Sequence, residues 1–219
     1  MLMKNIGLQR KMAWFKIPNF MFYIILFSAV LYLAEIVLRI NTKNISLFSI
    51  LEFKKEAVLK GEVWRVFSYI FLIPKLNLAL AFLYIYVLNF VSNSLEVHWG
   101  AANLTIYYFL GYVLTTLVGF IAGTTTIVFL NLSLIFVFCE ICPNMNLNLF
   151  SFINFRTSWL GGLTAALFLI KLATSLIVFN LGNLLTELAI IALFLLFFGP
   201  GYFINQFKKL KQFMNRQRF

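Results

Sequence analysis

Residues Gly61 to Pro74 read GEVWRVFSYIFLIP. A charged Glu62 and a Trp64–Arg65 pair come first, an aromatic-apolar run follows, and Pro74–Lys75 interrupts it. Indole and guanidinium together suit the water–lipid boundary, where the ring lies among headgroups and the cation snorkels outward. The stretch is therefore expected to anchor the chain at a membrane surface.

Composition agrees. The 219 residues are 62% hydrophobic and 11% charged, whereas a soluble domain has about half apolar and about a quarter charged residues. With 27 Phe, the chain carries too much apolar surface for water, so an integral membrane protein is expected. The net charge of +11 does not imply nucleic acid, because Lys and Arg concentrate at the two ends and around the first loop. That is topogenic, lipid-facing charge rather than a phosphate-tracking groove.

Outward from the anchor, apolar runs of about 20 residues define spans. The first covers roughly 18–38, after a basic segment holding Lys4, Arg10, Lys11 and Lys16. It is too long for a signal-peptide core and ends in Arg39, so it reads as a retained span. A long loop follows, with a short surface helix expected within 41–61. Further spans are expected at roughly 76–92, 103–121, 125–142 and 158–179, the sixth ending near Phe198-Gly199-Pro200-Gly201. Ser94–Gly100 (SLEVHWG) reads as a turn, Pro143–Asn144 as a helix stop and 144–156 as a short polar loop. The expected division is a basic N-terminal segment (1–17), a six-span membrane domain (18–205) and a basic tail (206–219). Six spans put both basic termini on the cytoplasmic side, although the lysines of the first loop count mildly against it.

Asp is absent and seven Glu remain. Glu35, Lys171 and Glu187 fall inside spans at similar depth, where an ionisable side chain is a functional candidate unless paired. A structural ion pair, snorkelling at the margin and a transport path are the readings open to them. Cys139 and Cys142 are helical neighbours that suit packing, with no metal-ligand set around them. Ser133 lies in the fourth span without a histidine in reach, since the one His, His98, sits in the turn after the second. Pairing Ser133 with a deprotonated Lys171 would be an alternative source of a nucleophile.

Taken together, Trp64–Arg65 in a long first loop, SLEVHWG after one more span, and six spans behind a basic N-terminus resemble the rhomboid superfamily. The segment ICPNMNLNLFSFINFRTSWLGG (141–162) and the ending LFFGPGYF (196–203) resemble a bacterial rhomboid-like subgroup and, more distantly, Derlins. The resemblance implies an all-α, six-transmembrane-helix rhomboid-like bundle whose first loop lies at the membrane interface. Its motif residues here are Trp64, Arg65, Glu96, Gly100, Pro143 and Asn144. The family's Gly-x-Ser-Gly nucleophile falls near 126–129, which reads Thr-Ile-Val-Phe; its sixth-helix histidine falls near Asn180; its oxyanion-holding His and Asn fall near Leu80 and Tyr84. None of those groups is present, so no catalytic residue is assigned. What the resemblance implies is a pseudoprotease of a bacterial inner membrane, needing no cofactor or metal. Its expected partners are the bilayer and transmembrane helices of other proteins, with no nucleic acid. The alternatives are a rhomboid-type serine protease with an unusual nucleophile such as Ser133, and a carrier using Glu35, Lys171 and Glu187.

Overall fold

The computed structural model describes residues 17–41, 46–143, 145–149 and 153–198. The basic N-terminal segment up to Lys16, Asn144, the Gly199-Pro200-Gly201 ending and the basic tail lie outside the described residues. The elements in chain order are α1 (Phe20–Asn41), α2 (Leu47–Leu51), α3 (Lys55–Leu59), α4 (Trp64–Ser68), a 3-10 turn (Tyr69–Phe71), α5 (Leu78–His98), α6 (Ala101–Ala122), α7 (Val128–Ile141), β1 (Asn146–Leu149), β2 (Ile153–Arg156), α8 (Thr157–Ile177) and α9 (Leu181–Phe198). Five helices, α1, α5, α6, α8 and α9, are long and apolar enough to cross a membrane.

The expected spans are found, with three differences. Ser94–His98 belongs to α5, so the turn there shrinks to Trp99–Gly100. Gly100 adopts φ 94°, an extended left-handed conformation that favours glycine, and a Cβ there would meet nothing within 4 Å. The expected fourth span shortens to α7, whose 14 residues reach only about 21 Å, against about 30 Å of hydrocarbon. The expected polar loop at 144–156 instead folds as an antiparallel hairpin, with Asn146 opposite Arg156 and Leu149 opposite Ile153.

The six longer helices alternate in direction between two ends of a bundle. One end gathers α2–α4, residues 123–127 and the α8–α9 turn; we call it the loop end. There Lys55 N donates to Gly123 O at 2.8 Å, and the Thr125 and Thr186 hydroxyls lie 3.1 Å apart. The other, the hairpin end, holds the start of α1, the α5–α6 turn, the β-hairpin and the end of α9. Asn19 N donates to Glu96 Oε1 at 2.9 Å there, and the Trp99 ring packs on Phe197 and Phe198.

α7 is the axis. Nearly all its side chains are buried, because α5, α6, α8 and α9 pack round it. Phe136 and Phe129 pack on Phe168 of α8, Phe136 on Phe194 of α9 and Phe138 on Phe90 of α5. Gly111 lets α6 approach, since a Cβ there would sit 2.2 Å from a Leu130 methyl carbon. The outward faces of α1, α8 and α9 carry exposed Phe, Leu, Ile and Val, as a lipid-facing surface requires.

Candidate functional site

The loop is built around two ionic side chains turned inward. Glu35 of α1 is 2% exposed and accepts from Ser46 Oγ (2.8 Å), Phe48 N (3.2 Å) and Arg39 Nε. It thereby satisfies an orphan N–H at the start of α2. Arg65, 8% exposed, donates from Nη1 to Ser49 O (2.8 Å) and Glu52 O (2.9 Å), the carbonyls leaving the other end of α2, and from Nε to Glu62. Ser68 Oγ adds a bond to Leu51 O. Arg65 therefore does not snorkel outward as expected: three short helices leave free carbonyls, and a forked donor with partners inside is held by them. Trp64 is half exposed on the surface of α4.

Beneath this loop Tyr69 is 1% exposed, and its hydroxyl meets Thr115 Oγ1 at 2.9 Å, Thr116 Oγ1 at 2.7 Å and Tyr112 O at 3.2 Å. Burial pushes its phenol well above the ordinary value, so it stays a neutral hydrogen-bonding group.

Between the loop, residues 124–128 and the first turn of α9 lies a cavity of about 260 Å³. Thr124, Thr125, Thr126 and Asn183 give it hydroxyls and a carboxamide, and Phe53, Ile73 and Val128 give it apolar wall. Its acid, Glu52, is paired with Lys75 at 3.0 Å. Its lining holds no histidine or cysteine; its ionisable side chains are the Glu52–Lys75 pair, Lys54 and the neutral Tyr69. Thr126 to Phe129, the expected nucleophile position, thus stand at the head of α7 beside this cavity. Asn180, the expected histidine position, caps α9 through Oδ1 to Asn183 N at 3.1 Å. Of the expected oxyanion positions, Leu80 is half exposed, and the Tyr84 hydroxyl accepts from Asn131 Nδ2 at 2.9 Å.

The remaining candidates are dispersed. Ser133 is 2% exposed, donates to Leu130 O at 2.7 Å and accepts from Tyr107 OH at 2.9 Å. Lys171 lies on the exposed face of α8, and none of Ser133's bonds involves it. His98 is exposed at the hairpin end, its Nδ1 2.9 Å from Ser94 O. Cys139 Sγ approaches Thr157 O at 3.4 Å and packs where Gly161 leaves room, a packing role. Glu187 is fully buried and accepts from Ser175 Oγ at 3.0 Å, but its Oε2 has no partner and no ion pair joins it to Lys171. Glu35 thus stands apart in the loop, whereas Lys171, one turn from Ser175, is close enough for its charge to act on Glu187 without a direct bond, so the three do not assemble into one site. Glu96 holds the start of α1, and exposed Pro143 follows the end of α7. Among the described residues no group of three His, Cys, Asp or Glu is placed to hold a metal.

The inward Arg65, the Tyr84–Asn131–Tyr108 chain and the threonine-lined cavity were missed in the sequence. The run Thr124-Thr125-Thr126 ahead of an apolar helix was the one signal available for the cavity. No family model, curated protein or solved structure matches this chain.

Proposed function

We propose that this chain is a rhomboid-like membrane protein that has no catalytic pair and receives transmembrane segments of other proteins without cleaving them. In this reading all six longer helices cross the bilayer, the loop lies at its outer boundary and both termini are cytoplasmic. One observation carries it. The cavity at the loop end joins the head of a short, central α7 to the start of α9, where the resemblance places nucleophile and base, and its lining holds Thr126 and Asn183 but no serine or histidine. A helix of about 21 Å in a bilayer of about 30 Å leaves its head recessed below the surface. Polar groups are thus carried below the headgroups, where an unpartnered donor or acceptor favours association with a polar group of another span.

The test is co-reconstitution of the full chain with a single-span membrane protein in nanodiscs. Retention of the intact partner and no labelling by a fluorophosphonate are expected. Labelling that disappears in Ser133→Ala would establish a protease instead, and failure to retain any single-span protein would remove the binding role.

A further inference from the structure

The loop-end cavity is lined by more hydrogen-bond donors than the protein uses. Lys54 stands beside Thr124 through an antiparallel bridge, and Lys55 N donates to Gly123 O at 2.8 Å, so the backbone holds Lys54 at the cavity wall. Lys54 is exposed and makes no ion pair among the described residues. The Thr126 hydroxyl accepts from Val128 N at 3.4 Å, which leaves its own proton to donate. Thr124 is exposed and Asn183 half-buried, and neither side chain is hydrogen-bonded to another described residue. The charged groups of the wall are two lysines, Lys54 and Lys75, against one glutamate, Glu52, which pairs with Lys75 at 3.0 Å. A positive charge is left over, and no unpaired carboxylate repels an anion. Val128 adds the positive end of α7, whose N-cap residue, Ile127, supplies no side-chain acceptor.

Donors gathered around an excess positive charge suit an acceptor-rich anion. A phosphate group offers several charged oxygens to lysine, hydroxyl and carboxamide together. Position narrows the source. The cavity lies beside the starts of α7 and α9 and the lead into α5, at the ends of the spans, where lipid headgroups are found. Phe53 and Ile73, both buried, form apolar wall next to the donors. Free phosphate gains nothing from them, whereas the glycerol and ester carbons of a phospholipid do. We propose that this cavity binds the phosphate of an anionic phospholipid, held by Lys54, Thr124, Thr126 and Asn183, with its glycerol against Phe53 and Ile73. In the six-span reading it also gives a use to loop lysines that topogenic charge alone would not place on that side. The proposal does not rest on the receiving of transmembrane segments; an incoming span and the lipid would compete for the same hydroxyls.

The test is displacement of a fluorescent short-chain phosphatidylglycerol from the full-length chain in maltoside micelles. The competitors are dioctanoyl phosphatidylglycerol, dioctanoylglycerol, which lacks the phosphate, and glycerol 3-phosphate, which lacks the acyl chains. Phosphatidylglycerol should compete about tenfold or more better than either of the others. Lys54→Gln and Thr126→Val should each weaken its binding by about tenfold. Lys60→Gln, at an exposed lysine of the same loop outside the cavity, should leave binding unchanged. The thermal midpoint of each variant without lipid confirms that it is folded, and exposed Lys54 can be replaced without disturbing the core. Equal weakening by Lys54→Gln and Lys60→Gln would reduce the attraction to diffuse surface charge and overturn the site. Competition by dioctanoylglycerol as strong as by phosphatidylglycerol would make the cavity an apolar pocket. Competition by glycerol 3-phosphate as strong as by the lipid would make it a site for a soluble phosphate ester. Either result overturns the lipid assignment.

Discussion

Arg65→Ala removes the guanidinium that, together with the Ser68 hydroxyl, closes the C-terminal end of α2. Three bonds go: Nη1 to Ser49 O, Nη1 to Glu52 O, and Nε to Glu62. Glu62 is partly exposed and can turn to water, so it contributes little. The two carbonyls lie beneath a guanidinium that is itself 8% exposed. At about 1–3 kcal/mol for each acceptor left without a donor, the loss is about 2–6 kcal/mol. For a chain of this size that lowers the thermal midpoint by about 4–24 °C. Arg65→Lys keeps a donor for the carbonyls but loses the fork, and should fall between. Trp64→Ala is the internal control: a half-exposed neighbour with no bond into the loop should move the midpoint little. The assay is thermal unfolding in mild detergent, together with limited proteolysis across 52–63, where loss of Arg65 should expose new cleavage sites. A midpoint and cleavage pattern in Arg65→Ala indistinguishable from Trp64→Ala would refute the inward role and return both residues to the interface.

Glu35→Gln keeps the shape but removes the charge accepting from Arg39, Ser46 and Phe48; a loss of about 1–3 kcal/mol is expected, read from the same melting curves. Gly100→Ala is penalised by backbone conformation alone, since a Cβ there has room. A destabilisation of about 1–3 kcal/mol, with helical circular dichroism unchanged, is the expected result. Gly111→Ala drives a methyl into Leu130 and Leu193 and should cost about 1–3 kcal/mol through the α6–α7–α9 contact; an unchanged midpoint would show that Leu130 can swing away. Glu187→Gln should leave ion flux across liposomes at the level of the unsubstituted chain, because Glu187, Glu35 and Lys171 share no site; a change in flux would revive the carrier reading.

What the sequence made legible was whatever depends on long apolar runs: the five spans, the loop position and the stop at Pro143, whereas the turn before Gly100 was begun at Ser94, inside what is still α5. The length of α7 was not, because Thr125, Thr126 and Ile127 lead into it with no helix-breaking residue, whereas in the structure the helix begins only at Val128. The hairpin was hidden because 146–156 alternates polar and apolar residues too briefly to distinguish strand from loop. Arg65 shows a further limit. Next to Trp64 and ahead of an apolar run, composition favours outward snorkelling; only the placement of α2 puts two free carbonyls within its reach. The three intramembrane ionisable residues were conspicuous in the sequence. Their relationship was not, since equal depth on three helices says nothing about which faces meet.

The polar groups of the bundle divide into those that are spent and those that are free. Tyr107 is bonded to Ser133, and Asn131 joins Tyr108 to Tyr84, so α7 is held by a network complete within the protein. Thr125 and Thr186 are likewise bonded to each other. Asn183 lines the loop-end cavity, and Asn89 Oδ1 is enclosed in the protein without a hydrogen-bond partner. Substituting the first class should lower stability, since each member leaves another unsatisfied. Asn89→Leu, which removes an enclosed oxygen that makes no hydrogen bond, should leave the thermal midpoint unchanged or raise it. That contrast follows from a bundle whose central helix satisfies its own polar side chains, so that the hydrogen bonds of α7 serve the fold.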